Sequence, residues 1–535
     1  MHINKFATAI AMTFCTMCSL QAQNPIVQTC YTADPAPMVD GDRLYVYIDR
    51  DEGPDWYVMN EWRVYSTADM VNWTDHGACL PLSTFSWGGK DTAWASQCIR
   101  KGDKYYWYVC CDNKNGGGKA IGVAESDSPI GPFKDKLKKP LISGGWGYID
   151  PSPFIDDDGT AYLVWGNPGC FIAKLSSTML GYSKTWTVKG NHVRKEQDGI
   201  WEFIQDEASF GGPKDIPEGK KNSDYIDLYE EGPWLMKRDG IYYLMYAAGG
   251  VPEHISYSTS DSPTGPWTYR GQIMRQQDTN SFTNHAGICT FKGHNYFFYH
   301  TGWLPGGGGF TRSVAVEEFN YNADGTIPQI KATKAGVKPI GTLNPYQRQE
   351  AETIAMSSGL KSAEAKEKNE VTGETEKQIY ITDIHSGDYI KVRNVEFGDS
   401  VASITVRVAS NFGRGKIVIC SASTGGTTYG TITVPDTGGD DVWQELTVEL
   451  TKPEALSGVK DIYFRFLGST TKNCFNFDWW RFNSTSYVDG INTPQATNGK
   501  DEFYTISGTK IAAPQRGINI VKHPDGTTTK IIKKM

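Results

Sequence analysis

Several things are scarce or missing in this 535-residue chain. Past residue 22 there is no apolar run long enough to cross a membrane as a helix. Basic residues are not in excess: 53 Lys and Arg against 61 Asp and Glu give a formal net charge of −8, which leaves no positive field for nucleic acid. The 11 cysteines show neither paired CxxC spacing nor a disulfide framework, so a zinc ribbon or a stapled mini-domain is excluded. Two of them, Cys15 and Cys18, fall in the N-terminal segment, and the odd remainder is read as core residues without assigned pairing. The glycine run at 306–309 lacks the Lys-Ser/Thr and helix that a phosphate loop needs, and is read as a close-packing loop.

What is present begins with a secretory signal over residues 1–22. Lys5 supplies the positive start, Phe6 to Leu20 the apolar stretch, and Leu20-Gln21-Ala22 a small-residue cleavage site. An exported, monomeric protein follows, destined for the periplasm, the cell surface or the medium. Aromatic residues are plentiful, 16 Trp and 28 Tyr, and such rings suit stacking on sugar faces as well as β-sheet cores.

One pattern then repeats. Asp34-Pro35-Ala36-Pro37 leads into two apolar residues, a polar turn at Asp40-Gly41-Asp42 and an aromatic strand, Leu44 to Tyr47. The same grammar opens at Trp94, Asp150, Glu231 and His285, and each copy reads as a β-hairpin. A second strand pair trails the hairpin, as in Tyr65-Ser66-Thr67-Ala68-Asp69 leading to Trp73. Four-stranded units recurring roughly every 55 to 80 residues are propeller blades, and five heads predict five blades over residues 24–335. In a propeller the first strand of each blade lies nearest the axis. Three of the five heads, Asp34, Asp150 and Glu231, are acids, so the fold would gather carboxyls from distant parts of the chain. Turn-forming Asp-Pro and Glu-Gly explain any one of them, but not all three in the same place.

Three carboxyls around one axis point to acid–base hydrolysis of a glycosidic bond. One carboxyl protonates the leaving oxygen, another activates water, and a third raises its neighbour's proton affinity. On strict strand alternation Glu230 would face away from the site and is set aside in favour of Glu231. The long insertion from Lys189 to Asp227, with its polar run Lys214 to Asp224, leads into Glu231 and is expected to shape the pocket.

The blocks Ala33-Asp34-Pro35, Ile149-Asp150-Pro151-Ser152-Pro153 and Glu231-Gly232-Pro233 resemble those of glycoside hydrolase family 43, five-bladed propellers that act with inversion. The resemblance implies Asp34 as general base, Asp150 as the residue that holds and tunes the acid, and Glu231 as general acid. It implies Trp94 as a sugar-pocket wall, with Ser96 where proline is usual, and Asn284 and Arg312 as substrate contacts. It also implies His285 as the axial histidine that can meet a central calcium or water.

After a linker at 336–348, residues 349–483 read as a β-sandwich with short strands from Tyr389 to Phe482. Glu350-Ala351-Glu352, Gly387-Asp388-Tyr389 and the run from Asn476 to Phe482 resemble carbohydrate-binding module family 6. That resemblance implies a structural calcium on Glu350, Glu352 and Asp478, a sugar-binding aromatic pair in Tyr380 and Trp443, and a polar clamp in Asn476. Oxygen-only ligands suit that hard ion. Residues 484–535 read as a small β appendage that resembles the C-terminal sorting signals of some exported bacterial proteins.

The fold class expected is all-β: a five-bladed propeller, a jelly-roll sandwich and a small C-terminal β unit. The propeller joined to this kind of module, and the opening Asn24-Pro25-Ile26-Val27, resemble arabinoxylan arabinofuranohydrolases, which implies removal of arabinofuranosyl side chains from arabinoxylan. A β-xylosidase or endo-xylanase of the same family is the in-class alternative, and a catalytically silent glycan binder the alternative from another class.

Overall fold

The computed structural model describes residues 23–212, 227–276, 279–368, 375–398 and 401–484, and toward the C-terminus 502–505, 510–511, 515, 517–522 and 528–533. The signal segment and the run Lys214 to Asp224 lie outside the described residues. Among the described residues no helix is long and apolar enough to cross a membrane.

The polar turns and β-branched or aromatic runs build antiparallel hairpins at each repeat, and these assemble into five blades. Blade one comprises Ala33–Asp40, Arg43–Asp49, Glu61–Thr67 and Trp73–Pro81, and blade two Trp94–Lys101, Lys104–Asp112, Lys119–Ser126 and Ile142–Ser143. Blade three runs Ser152–Ile155, Ala161–Trp165, Phe171–Lys174, Ile200–Phe203 and Val193–Gln197 in spatial order. The first part of the predicted insertion therefore supplies the outer strands of that blade. Blade four is Tyr229–Arg238, Ile241–Ala248, His254–Ser260 and Thr268–Met274. Blade five has three strands, Gly287–Phe291, His294–Thr301 and Ser313–Phe319.

The N-terminal segment closes the ring. Ile26 N–H donates to the Val314 carbonyl at 2.9 Å, Thr32 N–H to Arg312 at 2.9 Å, and the Asn24 amide donates to the Val316 carbonyl at 3.0 Å. Inner strands pack side by side around the axis, the first against those of blades two and five. Tryptophans such as Trp62, Trp107 and Trp165 fill the space between blades and are fully buried. The nine cysteines of the described residues are unpaired, and seven of them are buried.

The sandwich packs two sheets. One carries, in order, Lys361–Lys368, Thr375–Thr382, Asn476–Ser484, Val401–Ser410 and Gly439–Glu449; the other Met356–Ser358, Tyr389–Glu396, Val459–Leu467, Lys416–Cys420 and Thr428–Thr433. Between them lies a core of Ile, Val and Phe with Trp480. The segment at 336–348 is docked rather than free: Leu343 is buried in this core and its N–H donates to the Asn394 carbonyl at 3.0 Å.

Propeller and sandwich form one compact unit through Phe482. Thr353–Ile354 pairs with Trp73 and Thr74 as a fifth strand on blade one. Beside it the buried Arg63 holds Asp75 at 2.9 Å, and Ser362 from the sandwich donates to the same carboxylate at 2.7 Å. Burial alone would raise the Asp75 carboxyl, but Arg63 and Ser362 bring it below its usual value. Lys377 also reaches the His76 carbonyl, and Glu364 accepts from Ala78 N–H. Residues from Asn483 onward form a separate unit, a four-stranded sheet of Glu502–Thr505, Lys510–Ile511, Gly517–Lys522 and Thr528–Lys533.

Candidate active site

The five heads meet in one cavity of about 170 Å³. Each sits where its inner strand begins or breaks register. The ladder slips between Ala33 and Ala36, between Trp94 and Ser96, and on both sides of Glu231. The strands of blades three and five start just after Asp150 and His285. Bulges of this kind re-aim side chains at strand ends. Asp34 and Asp150 also hold left-handed backbone, φ +49° and +58°, a conformation costing non-glycine residues on the order of 1 kcal/mol or more. The bulge at Glu231 corrects the alternation argument: Glu230 does not turn away but lines the same cavity beside Glu231.

Asp34 is 7% exposed and both its oxygens lie 3.1 Å from Arg312 Nη1. Arg312 is itself locked by Asp51, which accepts from Nε at 3.1 Å and from Nη2 at 2.9 Å. His300 Nδ1 lies 3.2 Å from the Asp34 carboxylate and His285 Nδ1 3.7 Å. Burial would push the Asp34 carboxyl up, but Arg312 and the two histidines hold it well below the usual range. Arg312 thus reaches the site by holding the Asp34 carboxylate. Behind it lies Asp49, 1% exposed, pushed well up by burial and by Asp34.

Glu231 is the opposite case. Burial, reinforced by Glu230 and Asp34, pushes its carboxyl up to about 7, although Asn167 Nδ2 donates to Oε2 at 2.7 Å. Asp150 accepts from Gly232 N–H at 3.0 Å, and burial together with Glu231 pushes it well up. One cavity therefore pushes one carboxyl down and another up, the contrast an acid–base hydrolysis uses.

The wall is aromatic. Trp94 lines the cavity, donates from Nε1 to the Tyr57 carbonyl at 2.9 Å, and carries Lys119 Nζ 3.1 Å from its ring centroid. Ser96 accepts from Trp107 at 2.9 Å. At the mouth Trp56 and Trp146 are 53% and 58% exposed. Asn284 reaches the cavity with a buried side-chain oxygen that has no partner. None of the insertion's described residues reaches this wall. Sequence reasoning missed Asp49, Asp51, Asn167, Glu253 and His300; Asp49 and His300 lie at the end of the second strand of their hairpins and Asn167 just past it, at the same end as the heads.

Sequence matching agrees with this geometry. Residues 22–327 match the profile described as Glycosyl hydrolases family 43, and residues 350–484 the profile described as Carbohydrate binding module (family 6). The chain belongs to glycosyl hydrolase family 43. It is 34% identical over 510 residues to an arabinoxylan arabinofuranohydrolase of Bacillus subtilis (strain 168), covering 86% of this chain and 92% of that protein. An enzyme of the same name from Paenibacillus polymyxa is 30% identical, over 94% of this chain and 80% of that one. The crystal structure of a family 43 arabinoxylan arabinofuranohydrolase from Bacillus subtilis in complex with cellotetraose superposes with a TM-score of 0.70 at 30% identity, covering 87% of this chain and 98% of that one. The chain is a glycoside hydrolase of this family.

The family 6 module differs from its expectation. Tyr380 and Trp443 come together, but they touch edge to face, centroids 5.3 Å apart at 70°, and the Arg407 guanidinium lies 5.1 Å over the Trp443 ring. A sugar cannot enter between rings in contact. Asn476 is 4% exposed; its oxygen accepts from Thr382 at 2.7 Å and Asn473 at 2.9 Å, and its nitrogen donates to the Asp440 carbonyl at 2.7 Å. It braces the module rather than offering a clamp. Of the expected calcium ligands, Glu350 is forked by Arg348 at 2.8 Å on each oxygen. Glu352 Oε2 and Asp478 Oδ1 are buried carboxylate oxygens without partners, as a cation's ligands would be, while Arg407 holds the other Asp478 oxygen at 2.5 Å. Among the described residues no group of three His, Cys, Asp or Glu side chains is arranged for a metal, at His285 or elsewhere.

Proposed function

We propose that this protein is exported and hydrolyses α-L-arabinofuranosyl side chains from arabinoxylan by single displacement with inversion. The observation that carries the reading is one cavity in which Asp34, clamped by Arg312, and Glu231, held by Asn167, come together from separate blades. Asp34, kept ionised by Arg312, takes a proton from water as that water attacks the anomeric carbon. Glu231 gives its proton to the departing xylan oxygen. Asp150 holds the Gly232 turn beside the acid by accepting from its N–H. The exposed Trp56 and Trp146 flank the mouth, where the xylan chain carrying the side chain would lie and stack. The two similar arabinofuranohydrolases support arabinose over xylose as the sugar released.

Purified protein should release arabinose from arabinoxylan and leave linear xylan uncut. Release of xylose or of xylo-oligosaccharides as the main product would replace the reading with β-xylosidase or xylanase action.

In the module, a calcium ion held by Glu352 and Asp478 would satisfy their two unpartnered oxygens. Its contribution is structural, and it would brace the strand next to the propeller seam. A chelator should then lower the melting temperature in a way that added calcium reverses. An unchanged melting temperature contradicts the site.

A further inference from the structure

Behind the aromatic wall of the cavity lies a buried cation that the reaction above does not use. Lys119 opens the third strand of blade two, opposite Asp112 in the ladder, and its side chain is 1% exposed. Its ammonium lies 3.0 Å from Asp112 Oδ1, 3.1 Å from the Trp94 ring centroid and 5.2 Å from that of Trp146. The two indoles meet edge to face, with centroids 5.5 Å apart at 79°. Burial lowers the Lys119 pKa, and the Asp112 carboxylate works against that. Ring faces and one carboxylate thus stand where water would otherwise solvate the charge.

The backbone beneath Trp146 is placed by its own contacts. Trp146 stands on the glycine-rich loop 144–147. A Cβ on Gly147 would collide with the Asn167 carbonyl, and one on Gly118 would lie 3.3 Å from the Gly145 carbonyl carbon, so the loop packs flat on its neighbours. Asn167 N–H donates to the Gly147 carbonyl at 3.1 Å, which ties the loop to the residue that holds Glu231. These contacts place the loop, but they do not orient an indole that is 58% exposed. The Trp94 edge and the Lys119 ammonium meet that ring and can do so. Trp94 is pinned separately, through its Nε1 on the Tyr57 carbonyl.

Resting on the functional reading above, we propose that Lys119 is a positioning residue that sets Trp146 against Trp94 as one platform, with the released sugar against Trp94 and the xylan backbone on Trp146. Its ammonium is turned to the two rings and Asp112, so it serves the binding of the polymer rather than the cleavage of the bond. A neutral side chain of the same length would leave the Trp146 ring free to swing at the mouth. An aryl arabinofuranoside carries no xylan backbone to lay on Trp146 and gains little from the platform.

The test is a double-mutant cycle on KM for arabinoxylan, with Lys119→Met, Trp146→Ala and the two combined. Lys119→Met should raise KM by about fivefold and leave kcat within about twofold, the size of a desolvated cation–π contact. KM for an aryl arabinofuranoside should shift by less than about twofold. In the Trp146→Ala background Lys119→Met should raise KM no further. Asp112→Ala, at a half-exposed position, releases the ammonium and should give a smaller rise that is again absent beside Trp146→Ala; it decides the matter if Lys119→Met does not fold. An unchanged KM in these variants, a rise that adds to that of Trp146→Ala, or a fall in kcat on both substrates overturns the proposal. A crystal structure of either variant should show the Trp146 ring displaced while its loop stays in place, and an unmoved ring contradicts the platform whatever the substrate. If the wild type releases no arabinose from arabinoxylan, it is the functional reading that fails, and the crystal structure alone judges the platform.

Discussion

The propeller cavity and the module cleft were expected from the same residue types, aromatics and polar groups at set places in a β-repeat, yet the structure treats them oppositely. In the cavity the polar groups keep chemical capacity. Burial pushes the Glu231 carboxyl up, Arg312 holds that of Asp34 down, and the Asn284 oxygen has no partner. In the cleft the equivalents are spent on each other. Tyr380 rests its edge on Trp443, Arg407 covers that ring, and Asn476 bonds to three neighbours. A residue can therefore sit at a family's binding position and be engaged by its own neighbours. What marks a working site is the interaction left unmade, since burying an unpaired polar group costs about 1–3 kcal/mol and persists only under constraint.

The comparison breaks most visibly at Glu231. Glu231→Gln should slow arabinoxylan cleavage by about 10²–10⁴-fold, the usual worth of a general acid, and slow an aryl arabinofuranoside with a good leaving group far less. Steady-state kinetics on both substrates measure this, and equal losses would remove Glu231 from the acid role.

A smaller effect is expected at the seam. Removing residues from Gln349 onward takes the fifth strand from blade one and strips Ser362 from the buried Arg63–Asp75 pair. The melting temperature of the remaining propeller should fall by several degrees, ~2–4 °C for each kcal/mol lost in a domain of this size. Calorimetry of the truncated protein showing no fall would make the sandwich a passive passenger.

The smallest effect should come from Trp443→Ala. With its ring already packed against Tyr380 and Arg407, retention on insoluble xylan should change by no more than about threefold, well under 1.4 kcal/mol. A tenfold loss would show that the cleft opens to take a sugar after all.

Much of this was legible in the chain, and the gaps have physical causes. The heads could be read because every blade repeats the same turn chemistry, which fixes Asp34, Asp150 and Glu231 at equivalent places. Asp49, Asn167 and His300 were overlooked although the repeat pointed to them. An antiparallel hairpin brings the end of its second strand beside the start of its first, so each of these lies at the same end of its hairpin as a head. Glu253 carries no such signal, because it joins the site through contacts with the loop at 282–284. Glu230 was misjudged since strict alternation does not survive a bulge. In the sandwich, Lys361–Lys368 escaped notice because charged residues dominate it, as an edge strand allows. The seam itself depends on which outer strand lies open in space, and no local pattern records that.

The central claim is that Asp34 activates water opposite Glu231, and the stereochemistry of the first product tests it most directly. Proton NMR of the hydrolysis of an α-L-arabinofuranoside, followed before mutarotation, should show β-arabinofuranose appearing first, the inverted anomer expected of a single displacement. First appearance of the α-anomer, or a covalent sugar adduct on Asp34, would make Asp34 a nucleophile and contradict the account.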